Sequence, residues 1–102
     1  MYVVVLHRIK NAQTAFARGE KLMKNEGAPA GVRVLQFYPS RDRSTVTCLF
    51  EAPSVGPVQA YVDSTLGDSS ENTCYDVDSD FAFARQPLGV RESAAAAVSP
   101  MG

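Results

Sequence analysis

Three side chains carry most of the capacity of this sequence for chemistry. His7 is its one histidine, and Cys48 and Cys74 are its two cysteines. One imidazole and two thiolates suit nickel, copper, zinc or iron, and a fourth ligand could come from Gln36, Glu51, water or a second subunit. The residue types therefore raise the hypothesis of a transition-metal site with His7, Cys48 and Cys74 as ligands.

Each of these residues also has an ordinary structural interpretation. Cysteine is among the most buried residue types and packs like a small apolar side chain, so Cys48 and Cys74 also suit a plain place in the core. His7 stands next to Arg8, where a solvated or hydrogen-bonded role fits as well as any chemistry. The elements that position these residues must decide between the two interpretations.

A second hypothesis uses polar side chains and no metal. In an apolar pocket for a small organic molecule, Gln36 and Tyr38 would bind the ligand as hydrogen-bond donors, and His7 would be the candidate general base. The sequence has no glycine-rich phosphate loop and no recognisable nucleophile elbow. Serine-hydrolase chemistry is therefore not expected, and whether the chain is an enzyme stays open.

Length and charge restrict the class of protein. A chain of 102 residues has room for one domain, and a domain of this size buries only roughly 60 to 65% of its unfolded surface, which favours a partner subunit. Ten Lys and Arg residues against eleven Asp and Glu give a net charge of −1, with no basic patch for nucleic acid or an anionic membrane. The apolar stretch at the start is too short for a signal peptide or a spanning helix. With two cysteines, this predicts a reducing cytoplasm.

The first half of the chain reads as a strand followed by a helix. Residues 1–9 form a short valine-rich run that favours a buried strand. Asn11 is a suitable cap for a helix that ends near Gly27 and Pro29. Its apolar positions recur with helical spacing at Ala12, Ala15, Phe16, Gly19, Leu22 and Met23.

The second half predicts a hairpin, a second helix and a last strand. Residues 31–38 and 45–51 alternate in polarity on either side of a polar link, which is typical of two paired strands. Ser54 is placed to cap a helix that Gly67 ends. A final strand follows over about residues 71–77. We expect residues 1–84 to form the domain and residues 85–102 to be a flexible tail, because the composition changes there to Pro, Gly, Ser and a run of alanines.

The order strand, helix, strand, strand, helix, strand predicts an α+β fold of ferredoxin-like βαββαβ topology. Its four-stranded antiparallel sheet would carry both helices on one face, because each crossover is right-handed. If the alternation is consistent along the strands, the opposite face carries Val5, His7, Gln36, Tyr38 and Cys48. Alternation gives parity but not direction, so the sequence leaves open which face carries Cys48 and Cys74. An apolar open face of this size needs a cover, which predicts a homodimer of the α+β barrel type.

The same topology brings the candidate metal ligands toward one another. The first strand would lie between the third and fourth strands, so we expect His7 between Cys48 and Cys74. Neighbouring strands lie about 4.8 Å apart, which allows the three side chains to converge. Strands separated by a third lie about 9.6 Å apart, beyond the reach of a Cys48–Cys74 disulfide.

The chain resembles a known protein family in two segments, GVRVLQFYPSRDRSTVTCLFEAP and VQAYVDSTLGDSSENTCYDVD. They resemble a family of small ferredoxin-like α+β dimers that includes bacterial nickel-binding proteins. Tyr38, Cys48 and Glu51 with the Ala-Pro pair that follows match the family pattern, while Gln36 stands where the family commonly has a histidine and Val5 where an acidic residue is frequent. The resemblance implies a homodimer that binds nickel or another transition metal. Glutamine at position 36 weakens the expected ligand set, because it binds late transition metals less well than imidazole.

Overall fold

The computed structural model describes residues 1–85 and contains the elements that the sequence predicts, in the predicted order. They are β1 (Tyr2–Ile9), α1 (Ala12–Met23), β2 (Arg33–Pro39), β3 (Thr45–Glu51), α2 (Val55–Leu66), a 3-10 turn (Gly67–Ser69) and β4 (Ser70–Asp76). The four strands form one antiparallel sheet in the order β2-β3-β1-β4. The predicted ferredoxin-like α+β fold is confirmed. The predicted tail lies, from residue 86 onward, outside the described residues.

Both helices pack on one face of this sheet, which we call the helix face. Every second residue of the two central strands is buried there, including Val3 and Val5 of β1 and Phe50 of β3. The helices bury Leu22, Val58, Tyr61, Val62 and Leu66 against them. Burial of these side chains is the main source of stability for a domain of this kind. Neither helix is long and apolar enough to cross a membrane.

The helix boundaries follow from local signals. The side chain of Asn11 accepts a hydrogen bond of 3.0 Å from the backbone N–H of Thr14 and so caps α1 as predicted. Ser54 occupies the cap position of α2 without a side-chain hydrogen bond. Gly67 ends α2 with a φ of +57°, a backbone conformation that glycine adopts more readily than residues with a Cβ atom.

A turn held by Asn25 connects α1 to β2. Asn25 has a φ of +58°. Both the nitrogen and the oxygen of its side-chain amide form hydrogen bonds to the backbone of residues 32–34. The Nδ2 atom donates to the carbonyl of Val32 at 2.9 Å, and the Oδ1 atom accepts from the N–H of Val34 at 3.1 Å. The side chain therefore fixes where β2 begins.

A β-bulge in β2 changes the alternation that the sequence suggests. Val34 pairs with Phe50, yet the next pair along the strand is Gln36 with Leu49, so Leu35 is the inserted residue. Beyond the bulge, Phe37 joins the helix face and Gln36 turns to the opposite face. A regular strand would have placed Leu35 beside Leu49 instead.

The predicted facing of three residues is wrong. Val5, His7 and Cys48 are buried on the helix face, whereas the alternation was interpreted as placing them on the bare side. Alternation gives the parity of a strand but not its direction, and here both sides of β1 carry apolar residues. The first strand lies between the third and fourth as predicted, but the expected alignment of residues across these strands is wrong. Val5, and not His7, pairs with both Cys48 and Cys74.

Candidate functional site

The sheet surface opposite the helices, which we call the open face, has an apolar centre surrounded by threonine and charged positions. Its side chains come from alternate positions of all four strands, in register across the sheet. They include Tyr2, Val4, Leu6, Gln36, Tyr38, Leu49 and Tyr75. Several of the aromatic and leucine side chains are substantially exposed. Large apolar patches of this kind are uncommon on monomeric proteins and usually mark a binding surface.

The segment that follows β4 folds back along the open face, and we call residues 77–84 the strap. It begins where the N–H of Val77 donates to the carbonyl of Tyr2 at 2.9 Å. The carbonyl of Asp78 then accepts from the N–H groups of Phe81 and Ala82, at 3.1 and 2.9 Å. The Asp78 carboxylate accepts from the N–H of Asp80 at 3.0 Å. These bonds give the strap a defined turn of its own.

The strap and the sheet together form a cleft of about 570 Å³ that is open to solvent. Its floor is formed by Tyr2, Val4, Leu49 and Tyr75, and Gln36 contributes an amide group at the side. The volume is in the range of sites for small organic ligands, which are mostly apolar with a few convergent polar groups. The cleft is therefore suited to a mainly apolar molecule whose few polar groups meet Gln36 on the sheet side or Asp78 and Ser79 on the strap side.

The two residues expected to bind a ligand lie at different distances from this cleft. The bulge in β2 brings Gln36 to the cleft wall beside Leu49. Tyr38 is also on the open face, opposite Thr47, but it does not line the cleft. Sequence reasoning missed the strap as a wall of the site. The one signal was the pair of phenylalanines, Phe81 and Phe83, just after the last strand.

His7 is enclosed in a polar network on the helix face. It is 2% exposed, and its Nδ1 atom lies 2.7 Å from Oδ1 of Asn72. The amide nitrogen of Asn72 donates to the Asp63 carboxylate at 2.9 Å, which leaves Oδ1 to accept from His7. Burial lowers the pKa of His7, against the opposing effects of the Asn72 hydrogen bond and the Asp63 charge. A neutral imidazole with its proton on Nδ1 satisfies this arrangement.

The two cysteines are thiols in apolar or half-buried surroundings. Both are free, with Cys48 buried in the core and Cys74 half-buried. Burial raises the pKa of Cys48 to about 12. Burial and, to a lesser extent, the Asp63 charge raise the pKa of Cys74 to about 11. Metal binding requires thiolates, so each thiol would have to lose its proton against this environment.

The three candidate metal ligands share the helix face without forming a cluster. Across residues 1–85, no group of three or more His, Cys, Asp or Glu side chains is arranged to hold a metal ion. The side chain of Val5 stands in the register position between Cys48 and Cys74. Metal binding by His7, Cys48 and Cys74 therefore stays a prediction.

A second, polar depression lies at the start of α1. Lys10, Asn11, Arg18 and Asp68 are among its lining residues. Arg18 already donates to the carbonyl of Leu66 at 2.9 Å and to the Asp68 carboxylate at 3.2 Å. Asn11 is engaged in capping the helix. These internal bonds account for the side chains of Asn11, Arg18 and Asp68.

Comparison with known proteins supports the fold. No family model and no curated protein matches this sequence. Among solved structures, the chain is similar to SCO4226 from Streptomyces coelicolor A3(2), with 21% sequence identity and a TM-score of 0.50. The match covers 76% of this chain and 96% of the other. At this level of identity the likeness establishes the α+β architecture alone.

Proposed function

We propose that the protein is a homodimeric binding protein of the dimeric α+β barrel type, and that a small, mainly apolar molecule is its ligand. The observation that carries this proposal is the cleft of about 570 Å³ between the open face and the strap, with an apolar floor and the Gln36 amide at its side. Apolar surface would supply most of the affinity, and the single amide would orient the ligand.

The second copy would cover the open face. An apolar sheet surface in water is unfavourable, and packing two such faces together removes both from solvent. The same contact would turn an open cleft into an enclosed one. The two free thiols are consistent with the reducing cytoplasm that we propose as the location.

Binding of a neutral fluorescent probe, N-phenyl-1-naphthylamine, tests the proposal. We expect saturable binding with a large rise in probe fluorescence. Leu49→Asp places a carboxylate on the cleft floor and should weaken the affinity by tenfold or more, because the probe cannot solvate a charge. Thr45→Asp is the matched control, since it adds the same charge to the same strand and face outside the cleft.

Two outcomes would count against this function. One is the absence of saturable probe binding to the wild-type protein. The other is an equal affinity of wild type and Leu49→Asp, because the probe would then be held elsewhere. Equilibrium sedimentation checks the homodimer independently, and a single species with the mass of one chain at all concentrations would reject it.

A further inference from the structure

The strap holds two aromatic rings in water. Phe81 is 86% exposed and Phe83 is 79% exposed, whereas Phe50 in the core is fully buried. Arg85 stacks on the ring of Phe83 at 5.3 Å and covers only a little of it. An aromatic side chain can bury about 150 to 250 Å² in a core or an interface, so two adjacent exposed rings leave a large apolar area unused.

These exposed rings are borne by a segment with its own fixed turn. The carbonyl of Asp78 bonds to the N–H of both Phe81 and Ala82, and Val77 is tied to Tyr2 on the sheet. The rings therefore stand beside the open face in a set position, where they line part of the cleft of their own chain and leave most of their surface in water.

The rim of the open face fits a second copy of the same chain. Arg33 pairs with Glu51 at one corner at 2.8 Å, and Arg8 pairs with Glu71 at the diagonally opposite corner. Each of these four charges is paired within its own chain, which reduces like-charge repulsion between two identical faces. An apolar centre with a balanced polar rim is typical of interfaces between identical subunits.

The area of the sheet alone is small for a stable dimer. Four strands about 4.8 Å apart, each of seven or eight residues at about 3.4 Å, give a face of roughly 450 Å². A standard interface buries about 800 Å² of accessible surface on each partner, a measure that exceeds a flat footprint because side chains project from the sheet. The strap rings add apolar surface directly beside this footprint.

We infer that Phe81 and Phe83 of each strap pack against the second copy of the chain and close the cleft of that copy. Each ligand site is then composite, with its floor and strap wall from one protomer and a second aromatic cover from the strap of the other. This inference rests on the proposed function for the identity of the site. The contact of the rings with the partner can be tested without any ligand.

A single tryptophan placed on the strap tests the contact, because the chain has no tryptophan of its own. We expect Phe81→Trp and Phe83→Trp to show emission that moves to shorter wavelength as the protein concentration rises. Quenching by acrylamide should fall several-fold over the same range, and both changes should follow the monomer–dimer transition seen by sedimentation. Gln13→Trp, on the exposed side of α1, is the control and should stay solvent-like throughout.

A second pair of variants checks the energetic role of the rings. The double variant Phe81→Ser with Phe83→Ser should weaken the dimer by at least tenfold, whereas Asp80→Ala, on the same strap, should leave it unchanged. The inference is overturned if the strap tryptophans remain solvent-like in the dimer, or if their emission is shifted in the monomer at any dilution. Neither result depends on probe binding, so the cleft proposal can survive or fail separately.

Discussion

The Nδ1 atom of His7 lies 2.7 Å from Oδ1 of Asn72, and this bond connects β1 to β4 beneath α2. The side-chain amide of Asn72 donates a hydrogen bond to the Asp63 carboxylate. The Gln59 amide donates both to Asp63 and to the backbone carbonyl of Asn72. The one histidine is thus a member of a hydrogen-bonded network that joins the sheet to the second helix. Networks of this kind stabilise a core only when every member is satisfied.

Protonation of His7 should destabilise the fold. Burial lowers the pKa of His7 in the folded chain below its ordinary value of 6.5, so the unfolded chain binds the proton first as the pH falls. The free energy of unfolding should therefore decrease below about pH 6.5, by up to about 1.4 kcal/mol per pH unit, until the folded pKa is reached. Urea unfolding of the wild type between about pH 7 and pH 5 measures this slope.

His7→Gln is the matched variant for this prediction. Glutamine keeps an N–H donor for Asn72 but cannot take up a proton in this range. The difference between the wild type and the variant isolates the contribution of His7 from those of all other groups. Parallel pH profiles for the two proteins would show that His7 does not carry the effect.

The Asn25 turn should be worth a measurable part of the stability. Asn25→Ala removes the bonds to Val32 and Val34 and forces alanine into a φ of +58°, for an expected loss of about 2 to 4 kcal/mol. Asn25→Gly removes the same bonds but accepts the backbone conformation, so it should lose about 1 to 2 kcal/mol. Denaturant unfolding ranks the three proteins. Equal losses in the two variants would mean that backbone conformation contributes nothing here.

The element order was predictable because its signals are local. The cap at Asn11, the glycine at position 67 and the alternation of residues 45–51 each depend on a few neighbouring residues, and each is present in the structure. Local signals of this kind do not depend on how the elements later pack. They fix the order of strands and helices and, through the rules of handedness, the topology.

The facing of the strands was not predictable in the same way. In β1 the two alternating sets are Val3, Val5 and His7 against Tyr2, Val4 and Leu6, and polarity does not tell which set meets the helices. The polar character of His7 suggested the wrong face for it, because its burial depends on a hydrogen bond to Asn72, 65 residues further along the chain. The bulge at Leu35 has no clear mark in the sequence either. It is a property of the pairing between β2 and β3.

Nickel uptake separates the two hypotheses of function, because the small-molecule proposal expects well below one ion per chain and the metal prediction expects one. Among the described residues, His7, Cys48 and Cys74 form no three-ligand group, and the pKa values of the two thiols are raised by burial. Elemental analysis of protein purified without chelators, and again after incubation with nickel, measures the stoichiometry. One tightly held ion per chain that is lost in His7→Ala would establish the metal hypothesis instead.

A composite site makes a strong prediction for mixed dimers. The Leu49→Asp chain has a damaged floor and an intact strap, whereas the chain with Phe81→Ser and Phe83→Ser has an intact floor and a damaged strap. Each protein alone should bind N-phenyl-1-naphthylamine poorly. In a mixed dimer, the intact strap of one chain meets the intact floor of the other, and one good site forms.

Equal mixing of the two variants at concentrations well above the weakened dimer dissociation constant, followed by subunit exchange, should therefore restore about a quarter of the wild-type sites. Under these conditions half of the dimers are mixed, and each mixed dimer has one good site. Sedimentation of the mixture verifies that dimers are present. Mixing the strap variant with Thr45→Asp, which has both parts intact, is the positive control and should give more sites. If each strap instead closed the cleft of its own chain, every chain in the mixture would carry one defect, and binding would not exceed the average of the two variants measured separately.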